Sequence, residues 1–346
     1  MGTRARPLQV NLVNLTKNDY KGKDSTLCKG CGHNSIANQI VQVAYELNIK
    51  PHELIKTSGI GCSSKSPTYF LGRSHGFNSL HGRMPSVSTG ALIANHQLKA
   101  IGVSGDGDTA SIGFGQFKHA IRRNVRMVYI IENNGVYGLT KGQFSATADE
   151  GAILKYAGHN ELPPIDICME ALMAGAGFVA RSFSGDAKQV RELLKAALSH
   201  RGMAVLDIIS PCVAFNNEDT STKSYGYGRE HEAPLHDFGW VPPAEEIEID
   251  PQTPGDVRGI ELHDGSHIKL VNLDEDYDPT NKMEALRVLQ ETELTAEFIT
   301  GLIYFDPSRE SLAEASDLPD TPLAHLPDEM IRPSKDSLDK LMDKLM

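Results

Sequence analysis

Residues 98–145, LKAIGVSGDGDTASIGFGQFKHAIRRNVRMVYIIENNGVYGLTKGQFS, decide the fold. Apolar, β-rich residues through Val103 stop at Gly105-Asp106-Gly107-Asp108. Ile112, Phe117, Ala120 and Ile121 then recur at helical spacing, and residues 125–131 return as a second apolar strand that ends at Asn133-Asn134. Strand, helix, strand in this order predicts a βαβ unit with a right-handed crossover. The two strands then run parallel, and Asp106 and Asn134 emerge at the same carboxyl edge of the sheet.

A carboxylate and an amide oxygen meet at that edge, each followed by a glycine that lets other backbone come close. Hard oxygen donors of this kind suit a cation that shares its remaining positions with phosphate oxygens and water, as magnesium does with a diphosphate.

Working outward, the other strand-end turns carry thiols. Residues 54–60 read as a short strand running into Gly61-Cys62-Ser63-Ser64-Lys65, and a second apolar run, 203–209, interrupted only by Asp207, ends in Ser210-Pro211-Cys212. Upstream, Cys28-Lys29-Gly30-Cys31 precedes an amphipathic helix with Ile36, Ile40, Val43, Ala44 and Leu47 on one face. In an alternating α/β chain these turns belong on one sheet edge. Cys28, Cys31, Cys62 and Cys212 suit either zinc or a 4Fe-4S cluster, and one short-spaced pair joined by two isolated distant cysteines leans toward the cluster. The fifth cysteine, Cys168, sits inside the helical pattern expected over residues 165–174 and reads as a buried inert thiol.

Further elements expected are a helix opened by Pro85 and Ser86, a strand over 178–183 and a helix over 187–200 capped by Asp186. Beyond Phe215 the chain turns polar. A hairpin is expected over 257–262 and 267–271 around Asp264-Gly265, a helix over about 281–292, and a proline-punctuated tail with a charged terminal helix. The expected division is an arm (1–24), a cofactor-binding domain (25–215) and a C-terminal extension (216–346).

The chain has 346 residues, 40% of them hydrophobic, and a formal net charge of −11. That length and composition fit a globular core. The acidity argues against nucleic acid or an anionic membrane as partner. No stretch approaches the roughly 20 apolar residues that span a bilayer, and no secretory signal is visible at the start, so a cytoplasmic location is expected.

GDGD at 105–108 followed one crossover later by NN at 133–134 resembles the magnesium and thiamine diphosphate signature of thiamine enzymes. The ordered set LCKGCGH (27–33), SGIGCSSK (58–65), LHGRMPSVSTG (80–90), GDGDTASIG (105–113), IENNGVYGLTKGQ (131–143) and ISPC (209–212) resembles the beta subunits of 2-oxoacid:ferredoxin oxidoreductases. The likeness extends in character to FNNEDTSTKSYGYGREHE (215–232). It implies a doubly wound, mainly parallel α/β sheet of the thiamine diphosphate-binding type with a C-terminal extension. It also implies Mg2+ held by Asp106, Asn134 and the carbonyl of Val136, with the four cysteines holding one 4Fe-4S cluster.

Around the cofactor the resemblance implies contacts from Gly105, Gly107 and Asp108, from Cys62 and Ser64, from Gly82, and from Gly138, Leu139 and Thr140. Lys65, His81 and Arg83 are the implied catalytic and substrate-facing residues, with Lys65 meeting a substrate carboxylate. The implied reaction is decarboxylation of a 2-oxoacid to acyl-CoA with electrons passed to ferredoxin, or its reverse. The C-terminal region points to 2-oxoglutarate, with pyruvate or a broader 2-oxoacid range as the alternative. An alpha subunit is implied as partner, because no second α/β unit that would carry the activating glutamate follows residue 215. A non-oxidative thiamine decarboxylase gives no reason for four cysteines at one edge. A zinc-binding partner protein leaves the pairing of Asp106 with Asn134 unexplained.

Overall fold

The computed structural model describes residues 9–243, 245, 257–272, 277–292, 295 and 298–345. Helix α1 (Gly32–Glu46) starts directly after Cys31 and buries Ile36, Ile40, Val43 and Ala44 at the expected spacing. Strand β1 (Leu54–Ser58) is buried throughout and leads into a 3-10 turn (Ser63–Thr68). After β2 (His75–Asn78), helix α2 (Met84–Ala94) carries Pro85 in its first turn, where the missing N–H has no helical partner to lose. Next come β3 (Lys99–Gly105), a π-helical turn (Gly107–Ile112), α3 (Phe114–Arg123) and β4 (Met127–Asn133). This is the predicted βαβ unit, with β3 and β4 parallel and Val103 opposite Ile130.

Two short hairpins follow, β5 (Val136–Tyr137) with β6 (Gln143–Phe144) and β7 (Ile153–Leu154) with β8 (Gly158–His159). Helix α4 (Ile167–Met173) is capped by Asp166, whose side chain accepts the Met169 amide; β9 (Phe178–Phe183) comes next. Helix α5 (Ala187–Ser199) is capped by Asp186 as expected, and β10 (Ala204–Ile209) is buried on both faces. The buried acid of β10, Asp207, is answered by Arg181 Nε at 3.2 Å and Asn133 Nδ2 at 2.9 Å. A buried acid needs such partners.

Helix α6 (Tyr225–His231) runs into β11 (Glu232–Pro234). β12 (His236–Val241), β13 (Val257–Glu261) and β14 (His267–Asn272) make a three-stranded antiparallel sheet, the last two being the predicted hairpin. The chain ends with α7 (Lys282–Glu291), β15 (Phe298–Phe305), α8 (Leu312–Ala315), α9 (Asp328–Ile331) and α10 (Lys335–Leu345).

The main sheet has eight strands in the order β11-β15-β9-β10-β4-β3-β1-β2. All neighbours are parallel except β15 with β9. Helices α1 and α5 cover one face together with the small sheet, and α2, α3, α4 and α7 cover the other. The sheet is therefore doubly wound, as the sequence implies. The segment after residue 215 is built into this core, since β11 and β15 complete one end of the main sheet. β15 is an apolar run in a polar region, and its antiparallel partner β9 lies more than a hundred residues earlier, so local pattern does not announce it. Among the described residues, no helix is long and apolar enough to cross a membrane.

Candidate active site

Four adjacent strands, β10, β4, β3 and β1, end in the turns that carry Cys212, Asn134, Asp106 and Cys62, in that order across the sheet. Cys31 joins them as the N-cap of α1, where Gly32 N–H donates to Pro211 O. A narrow cleft of about 20 Å3 at this edge has Cys62, Asp106, Glu132, Asn134, Gly138 and His33 among its walls. A larger cavity of about 510 Å3 opens beside Asn133 and Thr147, but Asp106, Asn134 and Cys62 lie on the smaller cleft.

Asp106 is 2% exposed and is held by its Oδ2, which accepts the Gly135 amide at 2.9 Å, the Thr147 hydroxyl at 2.7 Å and the Ser145 hydroxyl. Gly135 sits at φ +72°, a conformation glycine reaches without strain, and this aims its N–H at the carboxylate. Asn134 is buried, with its Oδ1 on the Val136 amide at 3.1 Å and its carbonyl accepting Asn216 Nδ2 at 2.8 Å. Carboxylate, amide and backbone oxygens in one turn are the donor set of a hard cation. Tyr137 lies across the turn: its hydroxyl donates to Gly107 O at 2.9 Å, and a Cβ on Gly107 would stand 2.4 Å from the ring. Only glycine fits there.

Both carboxylate oxygens of Asp108 are taken up within the fold. Its Oδ1 accepts the Gly82 amide at 2.7 Å and its Oδ2 the Ser104 hydroxyl at 2.8 Å. Gly82, at φ +67°, packs so closely on Gly113 that a Cβ would fall 2.7 Å from the Gly113 Cα. The turn bearing His81 and Arg83 is thereby pinned to the GDGD turn, with both of those side chains exposed.

The thiols gather around Gly138. A Cβ placed there would lie 3.4 Å from Cys212 Sγ and 3.6 Å from Cys62 Sγ. Burial pushes Cys31 up to about 12 and Cys62 up to about 11, and raises Cys212 as well. Such thiols stay protonated at neutral pH unless a cation takes the charge, which is the behaviour of a ligand set. Among the described residues, no three His, Cys, Asp or Glu side chains are gathered closely enough to hold a single metal ion. Cys168 is fully buried, remote from the cleft in α4, and burial holds its thiol well above the ordinary range.

Beneath the cleft lies a network that the motif reading does not contain. Glu132 is fully buried and accepts Ser66 Oγ at 2.9 Å, and His33 Nδ1 stands 3.7 Å from its Oε2 and 2.6 Å from Ser210 Oγ. Burial raises the Glu132 carboxyl well above the usual range and lowers His33 to about 4, so burial favours the uncharged form of both. His33 follows Cys31, Ser66 belongs to the Cys62 turn and Ser210 precedes Cys212. One network thus ties three cysteine-bearing turns to the end of β4.

Residues 59–208 match the family model described as thiamine pyrophosphate enzyme, C-terminal TPP binding domain, and residues 267–318 match that of the C-terminal region of the pyruvate ferredoxin oxidoreductase beta subunit. The 2-oxoglutarate synthase subunit KorB of Methanocaldococcus jannaschii is 36% identical over 189 residues, which are 54% of this chain and 69% of that one. The chain belongs to the beta subunits of the 2-oxoacid:ferredoxin oxidoreductases. It is also 40% identical over 212 residues to the 2-oxoglutarate oxidoreductase subunit KorB of Mycobacterium tuberculosis, an alignment covering 59% of this chain and 56% of that relative. Against the 2-oxoacid:ferredoxin oxidoreductase subunit beta of Saccharolobus solfataricus it is 40% identical over 57% of its own length and 65% of the relative's. The chain thus spans less than two thirds of these last two relatives. A solved 2-oxoglutarate:ferredoxin oxidoreductase from Magnetococcus marinus, with 2-oxoglutarate, coenzyme A and succinyl-CoA bound, superposes at a TM-score of 0.73 and 26% identity. That match covers 98% of this chain and 100% of the other.

For this family member, the fold brings Asp106, Asn134, Val136, Gly105, Gly107, Asp108, Cys62 and Gly138 onto one cleft. Others lie at its margin. Lys65 Nζ reaches Thr26 Oγ1 at 3.2 Å, beside the Cys28 segment, and Ser64 Oγ turns back onto Gly61 O at 2.8 Å. Leu139 is half exposed. Thr140 is exposed and its hydroxyl bonds within its own loop, to Tyr137 O at 3.3 Å and to Gln143 Oε1, rather than facing the cleft. The loop closes on itself before the hydroxyl can reach inward. Glu132 was findable as the lone acid in an otherwise apolar buried strand; Ser145 and Thr147, small hydroxyls in a polar loop, carry no such signal.

Proposed function

We propose that the chain is the cofactor-carrying half of a 2-oxoacid:ferredoxin oxidoreductase that acts on 2-oxoglutarate and is active only with an alpha subunit. The observation that carries this reading is the cleft shared by Asp106, Asn134 and Cys62, whose sulfur lies with that of Cys212 beside Gly138, because it sets a diphosphate site and a thiolate site side by side. The net reaction converts 2-oxoglutarate, coenzyme A and two oxidised ferredoxins to succinyl-CoA, carbon dioxide, two reduced ferredoxins and a proton, and it is reversible. When bound, thiamine diphosphate supplies the carbon nucleophile and electron sink for breaking the bond to the leaving carboxylate, and a 4Fe-4S cluster supplies a one-electron acceptor.

The chain's own residues hold, orient and shield. Asp106, Asn134 and the Val136 carbonyl hold Mg2+ against the diphosphate, with Thr147, Ser145 and the Gly135 amide fixing the carboxylate so that its free edge faces the cation. Gly105 and Gly107 let the phosphates come against backbone, and Asp108 fixes the turn from which His81 and Arg83 extend toward the alpha subunit and substrate. Cys28, Cys31, Cys62 and Cys212 hold the cluster, with Gly138 leaving room for it and Cys28 as its exposed member on the side open to ferredoxin. Lys65 supplies a point charge for the distal carboxylate of 2-oxoglutarate. Residues 1–24 serve as an arm, residues 25–215 carry the cofactor site, and the segment after 215 completes the same sheet; the cytoplasm is the expected location.

A preference for 2-oxoglutarate is supported by the Magnetococcus marinus enzyme, which matches along nearly the whole chain. The test is ferredoxin reduction by the complex copurified with its alpha subunit, with 2-oxoglutarate and pyruvate compared at equal concentration. Faster reduction with pyruvate would move the assignment to the alternative 2-oxoacid range. No reduction with any 2-oxoacid would remove it.

A further inference from the structure

The two strands that end at Asp106 and Asn134 begin at a second set of charged residues. Lys99 opens β3 and Arg126 immediately precedes β4, a strand length or roughly 20 Å from the cleft. Arg126 is the wall shared by two cavities. The smaller, about 10 Å3 and room for one water at most, is lined by Lys99, Arg126 and His200 and by no acidic residue. The larger, about 140 Å3, is mainly apolar, with Leu92, Val125, Leu312 and Leu318 on its walls beside His96 and the Arg201–Glu314 ion pair.

Several buried ring nitrogens here are left without partners. His200 is 3% exposed, and neither ring nitrogen has a hydrogen bond; it is packed between Phe178 and Phe305. His96 Nδ1 is likewise buried without a partner. Among the described residues, Arg126 makes no salt bridge: Glu314 is taken by Arg201 at 2.8 Å, and Asp264 acts on Arg126 and Lys99 only through its field. Lys99 Nζ donates to Leu198 O at 3.1 Å, which ends α5 but brings no negative charge. Partly buried cations that share one pocket and make no ion pair are costly, and an anion from solution relieves them. A guanidinium takes a carboxylate with two parallel bonds, and the apolar cavity on the other side of Arg126 calls for an apolar body.

We propose that this end of the sheet binds a small amphipathic carboxylate. Arg126, the wall common to both cavities, takes its head, with Lys99 behind it as a second positive charge, and Leu92, Val125, Leu312 and Leu318 surround its body in the larger one. The site is independent of the reaction proposed for the opposite edge.

Calorimetric titration of the full chain, copurified with its partner subunit, tests this with hexanoate, 1-hexanol and inorganic phosphate as probes. Hexanoate is expected to bind once per chain, with the neutral alcohol and the phosphate each at least about tenfold weaker. Arg126→Met removes the head contact and Ala313→Phe fills the apolar cavity while leaving Arg126 in place. Each is expected to weaken hexanoate about tenfold or more. The second variant keeps the test decisive if the first does not fold. Absence of hexanoate binding, binding unchanged by a folded variant, or phosphate or hexanol binding as tightly as hexanoate overturns the proposal.

Discussion

Asp108 Oδ1 accepts the backbone amide of Gly82 at 2.7 Å, which makes the GDGD turn and the turn bearing His81 and Arg83 one mechanical unit. Asp108→Ala leaves two buried donors, the Gly82 amide and the Ser104 hydroxyl, without their acceptor, at a cost of about 1–3 kcal/mol for each. A lowered Tm and a weakened thiamine diphosphate affinity in the complex are expected together. Unchanged affinity at a lowered Tm would mean that the two turns are coupled for stability only.

Gly138 separates fold from cofactor. A methyl group there meets two free thiols at ordinary contact distance, so Gly138→Ala is expected to change stability by no more than about 0.5 kcal/mol. With a cluster between the sulfurs the same methyl group is crowded. Iron per chain is therefore expected to fall by at least about half while the Tm of the unloaded protein holds. Full iron loading in this variant would place the cluster elsewhere.

The Glu132 network ties His33, Ser66 and Ser210, hence three of the four cysteine turns, to β4. Glu132→Ala removes the acceptor of Ser66 and opens a void, and a loss of about 1–3 kcal/mol is expected. Lowered iron retention should accompany it. Glu132→Gln keeps the shape and an acceptor oxygen and is expected to retain most of both, since burial already favours the uncharged form of the carboxyl. Iron retention and urea unfolding of the two variants side by side check this.

Acid stability has a direction fixed by three buried histidines. Burial lowers His33 and His236 to about 4 and His200 to about 3, from an ordinary 6.5. The unfolded chain therefore binds more protons than the folded one between those limits. Their contribution is fully present above pH 6.5 and is lost as pH falls toward 4, which lowers the Tm across that window. Glu132 acts in the opposite sense: its raised pKa favours the folded state at low pH and loses that advantage as pH rises above 4.5. A His236→Gln variant, remote from the cleft in β12, should show a flatter decline of Tm between pH 6.5 and 4 than the parent. An equal slope would assign the acid loss to other groups.

The parts of this molecule that sequence shows best are those governed by short-range rules. β3, α3 and β4 follow from hydrophobic period and turn residues, and the placement of the cysteine turns at one sheet edge follows from chain alternation. Asp186 caps its helix as its position predicts, and the helix expected from about residue 281 starts just after Asn281. What is not visible depends on contacts between distant segments. β15 is defined by pairing with β9, and the hydroxyls of Ser145 and Thr147 reach Asp106 only because a loop some forty residues later folds back over it. Thr140 lies in a motif that points to the cofactor, yet local hydrogen bonding within the loop claims its hydroxyl.

The most direct test of the central claim is anaerobic metal and cofactor analysis of the complex with its alpha subunit, read with an electronic spectrum before and after 2-oxoglutarate and coenzyme A. About four irons per chain, bound thiamine diphosphate with magnesium, and a cluster band that bleaches on substrate addition are predicted. Zinc in place of iron, or a cluster that no 2-oxoacid reduces, would contradict the account.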